Sequence, residues 1–527
     1  MKKFTTALVV IVLMIAGCAS TSVESDDAPL DVGTTTATVH GLATESTRQF
    51  LGIRYAEPPV GDLRWSPTQP LPESNADVDA TAPGSQCPQA AGLPGVTSSS
   101  GEDCLFLNVT TPLKRSNDPL PVMVWWHGGG FTTGSGSAYD PQRMASEGNV
   151  IVVTVNYRLG MLGYFGLPGL AGSGNFGLAD QIESLRWVND NAAAFGGDPS
   201  SITVFGQSAG GMSSCALLTS PAAEGLVDKA AIMSGSCALD FPADAVFPGV
   251  PPQRPFIPLA VNEAVGSDVA QQLGCTGADA LACLRALPVD ALVAKGENFG
   301  FDVAFGTELL PEDPRTVVES GGALPIPVLS GGTAAEQRSF VGGAVLADPT
   351  SITADTYPKL LFDAFGSNAA RVADLYPMQN YSSAALAWAA ATTDAGWSCP
   401  TYRNNRALGT NASVYSYEFA DTDTVDVNGV GASGVSQDAA HATDMPYLFD
   451  LGGENLLKTP AQQDLAHTMI EYFTSFAHTG TPTADGAPSW PRTTDTATPV
   501  LQFVSDDIAV IDADAEHHCD FWNALAR

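Results

Sequence analysis

Residues 206–210 read Gly-Gln-Ser-Ala-Gly, the one G-x-S-x-G in the chain, between the apolar run Ile202 to Phe205 and a stretch of small residues. That order predicts a strand, a sharp turn and a helix with Ser208 at the apex, a geometry that exposes the serine hydroxyl. The flanking glycines carry no Cβ, so neighbouring backbone can close around the turn. Small residues also gather at ordinary strand-to-helix turns, so the context has to decide between the two readings.

A serine hydroxyl is a weak nucleophile. It needs a base within hydrogen-bond reach, a carboxylate to orient that base, and donors for the oxyanion that forms. Upstream, the apolar run Pro121 to Trp126 leads into His127-Gly128-Gly129-Gly130-Phe131, an arrangement whose backbone N–H groups can approach a substrate carbonyl. A glycine run can equally cradle phosphate, but no G-x-x-x-x-G-K-[ST] and no dinucleotide fingerprint surrounds this one.

Strand-like apolar runs recur at Leu105–Val109, Pro121–Trp126, Val150–Asn156, Ile202–Phe205, Lys229–Met233, Pro325–Leu329, Ser413–Phe419 and Val500–Val504. Helical spacing falls between several of them, in Leu178, Ile182, Leu185, Val188 and in Leu465, Met469, Phe473. Alternation of this kind predicts an α/β chain with a mostly parallel sheet covered on both faces. Stretches 238–320 and 345–400, rich in Pro, Gly and Ala, read as cap insertions over the site.

The chain resembles the type-B carboxylesterase/lipase family of the α/β-hydrolase fold, which also holds cholinesterases and the non-catalytic neuroligins. The resemblance rests on the segments Phe50–Trp65, Glu102–Val109, His127–Phe131 and Asn156–Gly160, and on the block from Gly174 to Gly211. It implies one α/β domain over residues 35–527, because the matching motifs interleave from Phe50 to Leu525. It implies Glu336, in G-T-A-A-E-Q-R-S-F, as the acid, and His441, in H-A-T-D-M-P-Y-L-F, as the general base. Ala334, Ala335 and Gln337 depart from the family's pattern around that acid. The order Ser208, Glu336, His441 is that of α/β-hydrolases.

The resemblance also implies oxyanion donors at Gly129, Gly130 and Ala209, and hydrolysis of carboxylic esters through an acyl-enzyme. His127 belongs to the oxyanion loop, and His40, His467, His478, His517 and His518 are expected to be structural or surface residues. Gln207 replaces the glutamate that often precedes the nucleophile. With a short Cys87–Cys104 loop that lacks tryptophan, this points away from cationic substrates. Trp125, Trp126, Phe131 and Trp397 are candidates to line an apolar pocket, although strand alternation turns at least one of the tandem tryptophans to the core. A binding protein of the same fold and a specialised lipid, carbamate or polyester hydrolase are the competing functions.

Lys2 and Lys3, the apolar run Ala7–Ile15 and Ile15-Ala16-Gly17-Cys18 read as a lipoprotein signal peptide over residues 1–17. Cys18 is then the lipidated residue and residues 18–34 a flexible tether, with the outer membrane as the expected location. Eight further cysteines form an even number in an exported chain, which favours disulfides. The resemblance pairs Cys87 with Cys104 and Cys275 with Cys283; Cys399 with Cys519 is a plausible third pair, leaving Cys215 and Cys237. A metal site at His517, His518 and Cys519 matches no common ligand spacing, and neither metal nor cofactor is expected. With 23 basic against 57 acidic residues and a net charge of -34, nucleic acid is an unsuitable partner.

Overall fold

The computed structural model describes residues 28–92, 95–296 and 302–525, together with Met1. The expected leader, Cys18 and most of the tether lie outside the described residues. Among the described residues no helix is long and apolar enough to cross a membrane.

Eleven strands form the central sheet: β1 (Leu42–Ala43), β2 (Thr47–Arg54), β3 (Phe106–Pro112), β4 (Leu120–Trp126), β5 (Ile151–Val155), β6 (Gly197–Gln207), β7 (Lys229–Met233), β8 (Val328–Thr333), β9 (Val414–Phe419), β10 (Val500–Phe503) and β11 (Ala509–Ile511). Their order is β11-β10-β9-β8-β7-β6-β4-β5-β3-β2-β1. The run from β5 to β10 is parallel, and antiparallel pairs close both ends. Parallel strands covered on both faces must be apolar throughout, which is why β4 reads Leu-Pro-Val-Met-Val-Trp-Trp with every residue buried.

Six helices matter for the site: α1 (Phe176–Asn191), α2 (Ala209–Leu217), α3 (Gln337–Ala347), α4 (Cys399–Leu408), α5 (Pro460–Thr479) and α6 (Cys519–Leu525). Strand alternation separates two cores. Val122, Val124 and Trp126 meet Leu178, Ile182, Leu185 and Val188 of α1 on one face. Met123 and Trp125 meet Leu465, Met469 and Phe473 of α5 on the other. A capping box of Thr459 and Gln462 starts α5, and Gly480 in the left-handed region ends it. The insertion after α3 carries a third core, in which Leu360, Val372 and Trp388 pack with Tyr402 and Trp522.

Four disulfides are closed: Cys87–Cys104, Cys215–Cys237, Cys275–Cys283 and Cys399–Cys519. The last spans 120 residues and fastens α6 to the start of α4. Beside it sits a buried charge cluster that sequence reasoning did not find. His517 Nδ1 meets Asp394 Oδ1 at 2.5 Å and its Nε2 meets Glu418 Oε2. Tyr376 donates to Asp394 at 2.6 Å, while Tyr402 and Gln502 donate to Glu418 at 3.0 and 2.9 Å. Both ring nitrogens are therefore engaged by carboxylates.

Burial opposes a charged ring, but Glu418 and Asp394 outweigh it and hold His517 well above the usual histidine range. Burial likewise opposes an ionised Glu418, yet the imidazolium keeps that carboxyl below its ordinary value. A raised histidine contributes stability that is complete below about pH 6.5 and is lost as pH rises through the folded value. The melting temperature should therefore fall on the alkaline side. In His517→Gln that fall should be absent and the protein destabilised by about 3–5 kcal/mol, since two buried carboxylates lose their cation. Calorimetry from pH 5 to 10 on both proteins checks this.

Candidate active site

Ser208 lies between β6 and α2 with φ 56° and ψ −124°, a conformation that residues with a side chain rarely adopt. The flanking glycines explain how the turn is built. A Cβ at Gly210 would lie 1.9 Å from the Trp126 carbonyl oxygen, and one at Gly206 would lie 2.5 Å from Gly210. The Ser208 N–H donates to the Met233 carbonyl at 2.9 Å, so β7 holds the apex. The serine is 8% exposed at the top of a buried sheet.

The glycine loop after β4 arches over this apex. A Cβ at Gly128 would lie 2.6 Å from Gln207 Oε1 and 2.9 Å from Ser208 Cβ, and one at Gly129 would lie 2.1 Å from the Thr133 carbonyl oxygen. Gly129 and Gly130 have φ 108° and 59°. Among the described residues the N–H groups of Gly129, Gly130 and Ala209 donate to no protein acceptor.

Three supports fix the loop. His127 stacks on Tyr157 at 4.4 Å, and Tyr157 donates to the His127 carbonyl at 2.6 Å. Burial pushes His127 down to about 4, so it stands there as a neutral ring. Gln89, inside the Cys87–Cys104 loop, accepts from Gly134 N–H at 2.6 Å and donates to the Gly134 carbonyl at 2.8 Å. Finally, Gly160 donates to the Phe131 carbonyl at 2.6 Å, and the adjacent Arg158 is held by the fully buried Asp180 of α1 at 2.8 Å.

Glu336 and His441 come together from different strands. Glu336, after β8 and 1% exposed, accepts from Thr333 N–H at 2.9 Å and meets His441 Nδ1 at 2.5 Å. The two loops are stitched where Ala335 donates to Ala439 at 3.0 Å and His441 to the Glu336 carbonyl at 3.3 Å. The alanines at 334 and 335 thus keep the acid's loop in place through backbone bonds alone. On its other side His441 Nε2 lies 3.1 Å from Gln207 Nε2, at the residue before the serine.

The aromatic candidates divide. Trp125 is packed against Phe449, Phe205 and Tyr139, and Trp126 lies in the opposite core, both without exposed surface. Neither can line a pocket, because a central strand buried on both faces leaves both tryptophans inside. Phe131 packs on Tyr164. Trp397 does reach the site, with its ring 4.9 Å from that of His441 and Phe340 adjoining at 5.2 Å. Its placement is set by a short π-turn, Asp394–Ser398, and by Gln337, whose amide in its matching orientation accepts from Trp397 Nε1 and donates to the Ala245 carbonyl, both at 3.1 Å. Of the remaining histidines, His40 pairs with Asp31, His467 with Glu147, His478 with the Gly148 carbonyl, and His518 edges Tyr376.

The family model for the carboxylesterase family matches residues 28–522. Para-nitrobenzyl esterase of Bacillus subtilis is 36% identical over 474 residues, covering 86% of this chain and 90% of that protein. Cocaine esterase of Homo sapiens is 30% identical over 489 residues, with 85% and 82% covered. A solved thermophilic PNB esterase superposes with TM-score 0.77 at 30% identity, covering 93% of this chain and 99% of its own. The chain belongs to the carboxylesterase family. It has the α/β-hydrolase fold and is a carboxylic-ester hydrolase.

This carboxylesterase also carries a buried acid that the sequence motif contained but did not single out. Asp444, three residues after His441, is fully buried, and among the described residues neither of its oxygens has a hydrogen-bond partner. Burial and the Glu336 charge push it up to about 7, against the pull of His441. An acid raised on folding binds a proton between its unfolded and folded values, so its cost to stability grows from about pH 4 to pH 7. Asp444→Asn should therefore leave the melting temperature near wild type at pH 4 and raise it progressively towards pH 8. A difference from wild type that stays constant across that range contradicts a protonated Asp444.

Proposed function

We propose that Ser208, Glu336 and His441 form the catalytic triad, with Gly129, Gly130 and Ala209 as oxyanion donors, acting on neutral short- to medium-chain or xenobiotic esters. The observation that carries the reading is the 2.5 Å contact between Glu336 and His441 Nδ1. A carboxylate only accepts, so Nδ1 keeps its proton and the Nε2 lone pair is the one that can act as general base once Ser208 attacks.

In the first step Ser208 Oγ bonds to the ester carbonyl carbon while His441 Nε2 takes its proton. The carbonyl π electrons move to oxygen, which three backbone N–H groups receive. Collapse of this intermediate breaks the bond to the alkoxy oxygen, and His441 returns the proton to the leaving alcohol. Water then repeats the sequence on the acyl-enzyme, releasing the acid and restoring Ser208. Glu336 keeps the ring in the required tautomer throughout.

The residue before the nucleophile and the protein's overall charge support neutral substrates. Gln207 adds no charge next to the serine, and a protein of net charge -34 repels anionic esters at low salt. For location we propose an exported lipoprotein anchored through Cys18 to the outer membrane. Four disulfides favour an oxidising compartment.

Turnover of p-nitrophenyl esters from acetate to dodecanoate should peak at short chains and vanish in folded Ser208→Ala, and an organophosphate should label wild type once, at Ser208. Gly129→Val should lower turnover by about a hundredfold or more; a folded variant with full activity contradicts that donor's role. Cys18→Ser, expressed from the full chain, should lose fatty-acid labelling and leave the membrane fraction.

A further inference from the structure

Gln207 is 2% exposed and sits at the end of β6, directly before the serine. Its amide nitrogen lies 3.1 Å from His441 Nε2. That nitrogen can only donate, and with Glu336 holding the proton on Nδ1, Nε2 can only accept. The bond therefore caps the lone pair that must receive the Ser208 proton. The Ser208 hydroxyl itself makes no hydrogen bond among the described residues.

We propose that Gln207 is a positioning residue for the base. In the resting enzyme its N–H holds neutral His441 at Nε2, and it yields that lone pair to the Ser208 hydroxyl when the serine attacks.

The amide nitrogen offers a donor to the lone pair of the neutral ring and nothing to the Nε2–H of the imidazolium. The glutamate common at this position in the family has acceptors alone when ionised. It offers nothing to the neutral lone pair and favours the imidazolium by charge. Gln207 consequently keeps more of His441 in the reactive, neutral form at low pH than a glutamate would. The proton moves only between Ser208 Oγ, His441 Nε2 and the leaving oxygen, and the amide donates its hydrogen bond without itself gaining or losing a proton.

The groups facing the ring make this contribution large. Glu336 bonds Nδ1, and Trp397 and Phe340 wall the ring's faces. Asp444, on the same loop, is buried and raised to about 7. Tyr139 and Tyr417 are buried phenols whose ionisation is pushed up by burial and by these carboxyls, and His127 across the turn is neutral. A carboxylate at 207 would thus enter a buried site that already holds Glu336 and Asp444.

The test compares wild type, Gln207→Met and Gln207→Glu, each shown to melt cooperatively, by kcat/KM against pH on one p-nitrophenyl ester. Met keeps the length and removes both hydrogen-bonding functions. The acid limb should move to higher pH in the order Gln, Met, Glu, with the glutamate shift about one pH unit or more and the methionine shift smaller. The rate of organophosphate labelling should follow the same order.

Superimposed profiles would overturn the proposal, and so would a methionine profile identical to wild type, because the amide would then do nothing that an apolar chain does not. Should Gln207→Glu fail to fold, the methionine shift alone decides. The inference rests on His441 as the base for Ser208. Residual turnover in folded Ser208→Ala removes that footing, whereas a dead Ser208→Ala with superimposed limbs refutes the Gln207 role alone.

Discussion

Backbone packed against backbone around residue 208 is the constraint on which the site depends. With φ 56° the serine sits where a side chain is disfavoured, and it stays there because Gly206 and Gly210 let β6, β4 and the start of α2 approach within distances no Cβ would permit. Strain of this kind persists only when the surroundings over-determine it. The parallel sheet supplies that, since β4 and β7 flank β6 in register from Ile202 to Gln207 and end at the same level. Every other functional group then arrives at the carboxyl ends of these strands. The glycine loop follows β4, Ser208 follows β6, Glu336 follows β8, and His441 follows β9.

The supports of the glycine loop are spread over distant sequence. Gln89 reaches it from a disulfide loop, Tyr157 and Gly160 from the segment after β5, and Asp180 steadies that segment from α1. Tyr157, Gly160 and Asp180 lie in blocks that carry the family resemblance, whereas Gln89 lies outside them. The recurrence of those blocks has a physical reading as scaffolding for three backbone donors. Stability and function share one network here, so a change at Asp180 would be felt at Gly129.

Much of this was legible in the sequence. The strands were visible because buried parallel strands are continuous apolar runs, and Ile202–Phe205 falls inside β6 as Lys229–Met233 falls on β7. Positions set by local geometry, the Gly-x-Ser-x-Gly turn above all, are the ones a linear motif can encode. What stayed hidden depends on packing between distant segments. Nothing near His517 in sequence announces Asp394 or Glu418, which lie 123 and 99 residues away. Gln337 looked like a departure from pattern, and its contact with Trp397 emerges only once the two insertions fold together. Tandem Trp125 and Trp126 suggested a pocket lining because aromatic residues near a site look alike on paper, whereas the sheet buries one on each face.

The Cys399–Cys519 bond encloses β9, His441, α5 and β10 within its 120-residue span. Glu336 lies outside that span, and the partner that must meet it lies within. During synthesis, the acid and the serine emerge well before Cys519 does. The ring that encloses the base can be sealed only after residue 519 has left the ribosome and met an oxidant. The order of translation therefore keeps the segment that begins at Cys399 free of this covalent lock while all 120 residues up to its partner are being made.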